Sequence, residues 1–210
     1  MEKRSESSMI EINKGEHTGL IGTTGAGKTY YFRHVFEKTC NRLIVIDTEE
    51  KQFNDLDIIK GDPMKFIKKL PDDRNFRLRW IPAVSQEVDE METFSQALIY
   101  FGDDLQIYID ELTDFSTATS MRPWLKSLFR KARKRKISIY WGSQRPAGVN
   151  KWAWDNSHHK LLFYIRDYDR QILDKYYKGI AEQLNQIEWG SYQSLYIDPS
   201  GKTHLMEAAK

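Results

Sequence analysis

The stretch Gly22-Thr23-Thr24-Gly25-Ala26-Gly27-Lys28-Thr29 constrains this chain more than any other. It fits the phosphate-cradling pattern G-x-x-x-x-G-K-[ST] at every fixed position. The short, mostly apolar run from His17 to Ile21 precedes it, as a buried strand would. Tyr30 to Cys40 follows with helical spacing: Tyr31, Val35 and Thr39 are four apart, with Phe32 and Phe36 beside them. Gly22, Gly25 and Gly27 are expected to free the backbone so that its N–H groups approach an anion. A helix opening near Lys28 adds the positive end of its dipole. Lys28 would meet the β- and γ-phosphates of a nucleotide, and the Thr29 hydroxyl would ligate Mg²⁺. A chance glycine-rich turn is the competing explanation, and it leaves the flanking strand and helix unexplained.

A chain of 210 residues suits one domain with a full α/β core, taken as residues 10–210 behind a flexible polar lead-in at 1–9. The net charge of +2 gives no global field toward nucleic acid, so such binding needs a local patch. One cysteine, Cys40, excludes an internal disulfide and is expected to be a small buried residue at a helix end. No run approaches the roughly twenty apolar residues of a membrane span, so a soluble protein without a transmembrane segment is expected.

Strand and helix signals alternate, which predicts a mostly parallel sheet with helices on both faces. Arg42–Ile46 is a strand ending at Asp47, and Glu49 and Glu50 follow as water-positioning or merely solvated carboxylates. Ile58 to Leu70 reads as a short strand and then a helix starting near Asp62 and Pro63. Phe76–Ile81 is a strand, and Glu87–Phe101 a helix with Val88, Met91, Phe94 and Leu98 on one face.

Leu105 to Ile109 is a further strand running into Asp110-Glu111, a Walker B pattern about eighty residues after the glycine loop. Asp110 would hold Mg²⁺ through its waters, and Glu111 would orient the attacking water. Ser120 to Lys136 is the most regular helix, with Met121, Trp124, Leu125, Leu128, Phe129 and Ala132 as its apolar stripe. Arg122, Lys126, Arg130, Lys131, Arg133, Lys134 and Arg135 make the rest basic, without one acid. Nucleic-acid phosphates or a neighbouring subunit's nucleotide fit such a face; a solvated surface is the bland alternative. Ile137 to Trp141 is the next strand, followed by Gly142-Ser143-Gln144-Arg145-Pro146, where the Gln144 amide can sense a γ-phosphate. Leu161 to Ile165 reads as a strand and Asp167 to Lys178 as a helix ending at Gly179. Tyr192–Ile197 and Thr203–Met206 form a terminal antiparallel hairpin. Adjacent His158 and His159 point to opposite faces of a strand, and Trp152 and Trp154 read as packing residues.

Taken together, these residues resemble the FtsK–HerA superfamily of DNA-pumping ATPases. His17 five residues before Gly22, the glycine loop, Asp110-Glu111, and Lys131-Ala132-Arg133 leading through a strand into Ser143-Gln144-Arg145-Pro146 carry the resemblance, over about residues 10 to 200. The small size is similar to the genome-packaging NTPases of icosahedral viruses with internal membranes, those of turreted archaeal viruses above all. The resemblance implies a RecA-like core, ATP and Mg²⁺, and double-stranded DNA threaded through a homo-oligomeric ring, hexameric or pentameric. It implies capsid or membrane-vertex partners, and a place in the host cytoplasm or on the virion. By position Arg133 matches the arginine lent to the neighbour's γ-phosphate and Gln144 the sensor, with Arg145 beside it. Arg130 and Arg135 leave the choice of finger open. A P-loop nucleoside or nucleotide kinase and a nucleotide-switched assembly scaffold are the rivals.

Overall fold

The computed structural model describes residues 10–48, 52–61, 65, 67–68, 75–82 and 87–209. The strands are β1 (Thr18–Ile21), β2 (Arg42–Ile46), β3 (Asp57–Lys60), β4 (Phe76–Ile81), β5 (Gln106–Ile109), β6 (Ser138–Ser143), β7 (His159–Leu162), β8 (Ser194–Ile197) and β9 (Thr203–Met206). They form one sheet in the order β3-β4-β2-β5-β6-β1-β7-β8-β9. Pairings from β3 through β7 are parallel, and β8 and β9 add an antiparallel edge.

The strands are near-continuous apolar runs because both faces are covered. Alternate residues feed two cores. Ile21, Ile44, Ile46, Ile107, Ile109, Ile139 and Trp141 face one of them. Leu20, Leu43, Val45, Tyr108, Tyr140 and Leu161 face the other. Helices α2 (Glu87–Phe101) and α3 (Pro123–Ala132) close the first core through Phe94, Leu98, Trp124, Leu125, Leu128 and Phe129. Helix α1 (Lys28–Tyr31) and its continuation close the second through Tyr31, Phe32 and Phe36.

Helix α1 departs from simple periodicity. A π turn at Phe32–Phe36 and a 3₁₀ turn at Glu37–Thr39 extend it. The buried stripe therefore runs Phe32, Phe36 and Cys40, while Thr39 is exposed. Cys40 is buried at the helix end, as expected. Helix α3 is shorter than the predicted Ser120–Lys136: Pro123 opens it and a 3₁₀ turn at Arg133–Arg135 ends it against Lys136, whose φ is 54°. Strand β7 begins two residues earlier than Leu161 because His159 and Lys160, polar yet buried, find partners. His159 meets Glu16 and Tyr196 at 2.9 and 2.7 Å, and the Lys160 ammonium donates to the Ser157 carbonyl. Two short helices had no sequence signal, α4 (Lys151–Asp155) and α6 (Ile180–Leu184). Helix α5 (Asp167–Leu173) stops short of Gly179, which instead caps α6 with φ 83°. Trp154 is buried and Trp152 packs on Phe129, so both tryptophans are packing residues. The predicted lead-in at 1–9, Glu49, Glu50, the start of the helix at Asp62 and Pro63, and the side chains of Val88 and Met91 lie outside the described residues. Among the described residues no helix is long and apolar enough to cross a membrane.

His17, just before β1, ties three elements together. Its Nε2–H donates to the Phe129 carbonyl of α3, and its Nδ1 accepts the Ile139 N–H of β6, each at 3.2 Å. The Ile139 N–H requires the neutral ring, whereas the Phe129 carbonyl would accept from the charged ring as well. Burial pushes its pKa down to about 4. The native value lies below the unfolded value of about 6.5. The stability His17 contributes is therefore complete above pH 6.5 and drains away as pH falls toward 4. We expect His17→Gln to flatten the pH dependence of unfolding free energy in that window by up to about 1.4 kcal/mol per pH unit. Urea titrations at stepped pH measure the slope, and an unchanged slope contradicts the assignment.

Candidate active site

The carboxyl ends of β1, β5 and β6 lie side by side, where open α/β sheets place ligands. The loop leaving β1 is fixed at its base: the Gly22 N–H donates to the Ser143 carbonyl at 3.1 Å and the Thr23 N–H to the Tyr164 carbonyl at 3.0 Å. Gly25 and Gly27 have φ of 79° and 105°, conformations that favour glycine. Gly22 is required for a different reason from the one expected. Its φ is ordinary, but a Cβ there would stand 2.7 Å from the Phe163 Cβ. Gly142 lets β6 lie close to β5, since a Cβ would fall 2.2 Å from the Asp110 carbonyl oxygen. Ala26 is buried in the core of the second face and anchors the loop tip from below.

Left-handed Gly27 caps α1, so Lys28 and Thr29 stand in its first turn. The Lys28 ammonium spans the loop, donating to the Gly22 carbonyl at 2.7 Å and the Thr23 carbonyl at 3.3 Å. The Thr29 hydroxyl donates to Asp110 Oδ1 at 3.1 Å, and the Tyr108 hydroxyl donates to the same oxygen at 2.9 Å. Thr29 and Asp110 thus present a hydroxyl and a carboxylate at one point. This is the hard-oxygen set that Mg²⁺ takes while keeping its other positions for phosphate and water. Burial raises the Asp110 pKa, and the hydrogen bonds from Tyr108 and Thr29 oppose that rise. Asp47 at the end of β2 is buried and pairs with Arg79 at 2.8 Å; its charge pushes Asp110 further up.

Glu111 is 8% exposed and its pKa is raised, chiefly by burial. The Thr113 hydroxyl donates to Oε1, and the Gln144 N–H donates to Oε2 at 3.1 Å. The Gln144 side-chain oxygen in turn accepts from the Thr24 hydroxyl at 2.7 Å. Loop tip, sensor amide and acidic residue are therefore one connected chain of hydrogen bonds. Thr24, Gly25, Gly27, Lys28, Thr29, Asp110, Glu111 and Gln144 all line one cavity of about 480 Å³.

Arg130, Arg133 and Arg135 are exposed and stand away from this cavity. They lie where α3 ends before β6 begins, at the amino end of the sheet; Gly15, just before β1, packs on the Arg133 backbone. The six residues of β6 put about 17 Å between that end and the cavity. Arg145 points outward and lies 3.7 Å from Asp169. Sequence reasoning missed Tyr108, Thr113, Tyr30 and Tyr192. The first two touch the acidic pair, and the last two line the cavity. Tyr108 lies two residues before Asp110, within the strand pattern, and was legible only as core; Tyr192 reaches the site through the fold alone.

No family model matches the chain. It is 25% identical over 139 residues to Protein P9 of Pseudoalteromonas phage PM2, covering 64% of this chain; it spans 62% of the length of that relative. Its fold is similar to that of the genome packaging NTPase B204 from Sulfolobus turreted icosahedral virus 2 in complex with ATP-gammaS. There the TM-score is 0.77 at 16% identity, covering 95% of this chain and 100% of that one. VirB4 of Thermoanaerobacter pseudethanolicus is similar at a TM-score of 0.63 and 11% identity, over 92% and 89% of the two chains. In fold this chain is similar to B204, and its mostly parallel sheet with an antiparallel edge is the architecture expected from the sequence.

Proposed function

We propose that this protein is an ATP-hydrolysing motor that moves double-stranded DNA into a preformed viral capsid, working as a homo-oligomeric ring. The observation that carries the reading is a division of the site between the two ends of the sheet. Five groups of phosphate chemistry, from Lys28, Thr29, Asp110, Glu111 and Gln144, converge on one cavity. The arginines that would complete it stand at the far end of the same sheet, exposed at the surface. The similarity to B204, described as a genome packaging NTPase, supplies the biological direction.

Lys28 exchanges the Gly22 and Thr23 carbonyls for the β- and γ-phosphates. Thr29 and Asp110 would hold Mg²⁺, which would supply charge neutralisation. Glu111, fixed by Thr113 and by the Gln144 N–H, aligns and polarises the attacking water. The Gln144 side chain, now on Thr24, turns to the γ-phosphate and reports its presence. Arg133 of one subunit stabilises the transition-state charge in the next, an effect worth about 10³ to 10⁵ in rate where such fingers act. Host cytoplasm or the virion, and a capsid or membrane-vertex protein as partner, follow from this reading.

Lys28→Ala and Glu111→Gln are expected to lower phosphate release at least about 100-fold, with Glu111→Gln still binding ATP. Duplex DNA is expected to stimulate the wild type, which a nucleotide-switched scaffold would not show; transfer of phosphate to a nucleoside acceptor would favour a kinase instead. Robust turnover by Glu111→Gln removes its role.

Subunit mixing tests the position of the finger. Arg133→Ala and Glu111→Gln chains are each expected to be inactive alone. Mixed, they create interfaces where an intact Arg133 meets an intact Glu111, and activity returns. A mixture as inactive as its parts contradicts action across the subunit boundary by Arg133.

A further inference from the structure

We infer that Tyr192 and Tyr30 form the seat for the nucleobase, an aromatic clamp that grips the ring face and ignores its edges. The clamp rests on the nucleotide site proposed above and assigns the end of it that phosphate chemistry leaves open.

The cavity lining is of two chemical characters: besides the polar Asp110, Glu111 and Gln144, it includes Tyr30, Tyr192, Ala208 and Ala209. The two tyrosines are large aromatics left 46% and 49% exposed. Their ring centroids are 6.3 Å apart and the planes differ by 35°. A flat ring held between two others needs about 7 Å at ordinary carbon contact, so the pair is within about an ångström of accepting one.

Each tyrosine is held in place by something other than burial. The Tyr30 ring is stacked on His34, with centroids 3.8 Å apart and 20° between planes, and His34 Nδ1 lies 2.8 Å from the Tyr30 carbonyl. One face of Tyr30 is thereby backed by His34, and Tyr192 is its other aromatic neighbour. Tyr192 itself has φ 54°, a left-handed conformation that a bulky residue adopts at a cost. Its ring presses on the phosphate loop, where a Cβ on Gly27 would stand 2.9 Å from Cδ1. A residue present only for packing would be buried and relaxed. This one is strained, half in water and set against the loop that holds phosphates.

The occupant follows from connectivity. Tyr30 directly succeeds Thr29, so a planar group between the tyrosines lies within the same cavity as the phosphate nest. A base joined through its sugar to those phosphates meets both requirements. Trp189, also exposed beside the loop at Gly25, does not line the cavity. Stacking uses the π-face common to all bases, so the clamp tolerates adenine, guanine and cytosine alike.

The test compares a non-hydrolysable ATP analogue with inorganic tripolyphosphate, both with Mg²⁺, by calorimetry on the full chain. Tyr192→Ala is expected to weaken the analogue about tenfold or more and tripolyphosphate less than about twofold. Tyr192→Phe is expected to restore the analogue, which separates a lost stack from a misfolded loop. The corresponding GTP and CTP analogues are expected to bind wild type within about tenfold of the ATP analogue. If Tyr192→Ala weakens both probes equally, or neither, the clamp is wrong while the phosphate site stands. If wild type binds neither probe, the nucleotide reading falls and the clamp with it.

Discussion

The hydrogen bond from the Thr29 hydroxyl to the Asp110 carboxylate joins two segments about eighty residues apart in sequence. It exists only because β6 lies between β1 and β5 with all three carboxyl ends level. That alignment depends on small residues. Gly142 admits the Asp110 carbonyl, and Gly19 admits the Trp141 ring, whose Cζ2 would meet a Cβ at 2.5 Å. The Gly22 N–H then pairs with the Ser143 carbonyl and sets the height of the phosphate loop over the strand ends. Every other feature of the site inherits this registration.

Burial around these groups carries an electrostatic cost that the neighbours offset. Asp110, Glu111 and Asp47 are all nearly inaccessible and lie close together. Desolvation and mutual repulsion raise the pKa of Asp110, while the Tyr108 and Thr29 hydroxyls and the Lys28 charge hold it down. Arg79, itself buried, answers Asp47 and donates to Asn54 Oδ1 at 2.8 Å. Such a cluster favours an added cation, which Thr29 and Asp110 would be placed to hold.

Much of this was legible in the sequence because the signals are local. β2, β4 and α2 were read to the residue from compact apolar runs and helical spacing. The phosphate loop and the Asp110-Glu111 pair carry motifs whose chemistry demands their spacing. The terminal hairpin followed from its turn residues, though β8 starts at Ser194 rather than Tyr192, which the chain bends into a left-handed conformation. What stayed hidden depends on tertiary partners. His159 and Lys160 read as polar until Glu16, Tyr196 and Ser157 are placed beside them. The π turn in α1 belongs to the same class, since the spacing of Tyr31, Val35 and Thr39 equals that of Phe32, Phe36 and Cys40 and only the packed helix decides that Val35 and Thr39 are the less buried. Thr113 is an ordinary loop threonine until it donates to Glu111.

The proposed function requires that backbone amides and one ammonium, held level by three aligned strands, seize the phosphate tail of a nucleotide. A crystal structure with Mg²⁺ and a non-cleavable ATP analogue addresses it directly. The β- and γ-phosphates are expected inside the turn of residues 22–29, with the Lys28 ammonium moved from the Gly22 carbonyl onto them. An analogue bound at another surface, with Lys28 still on that carbonyl, would contradict it.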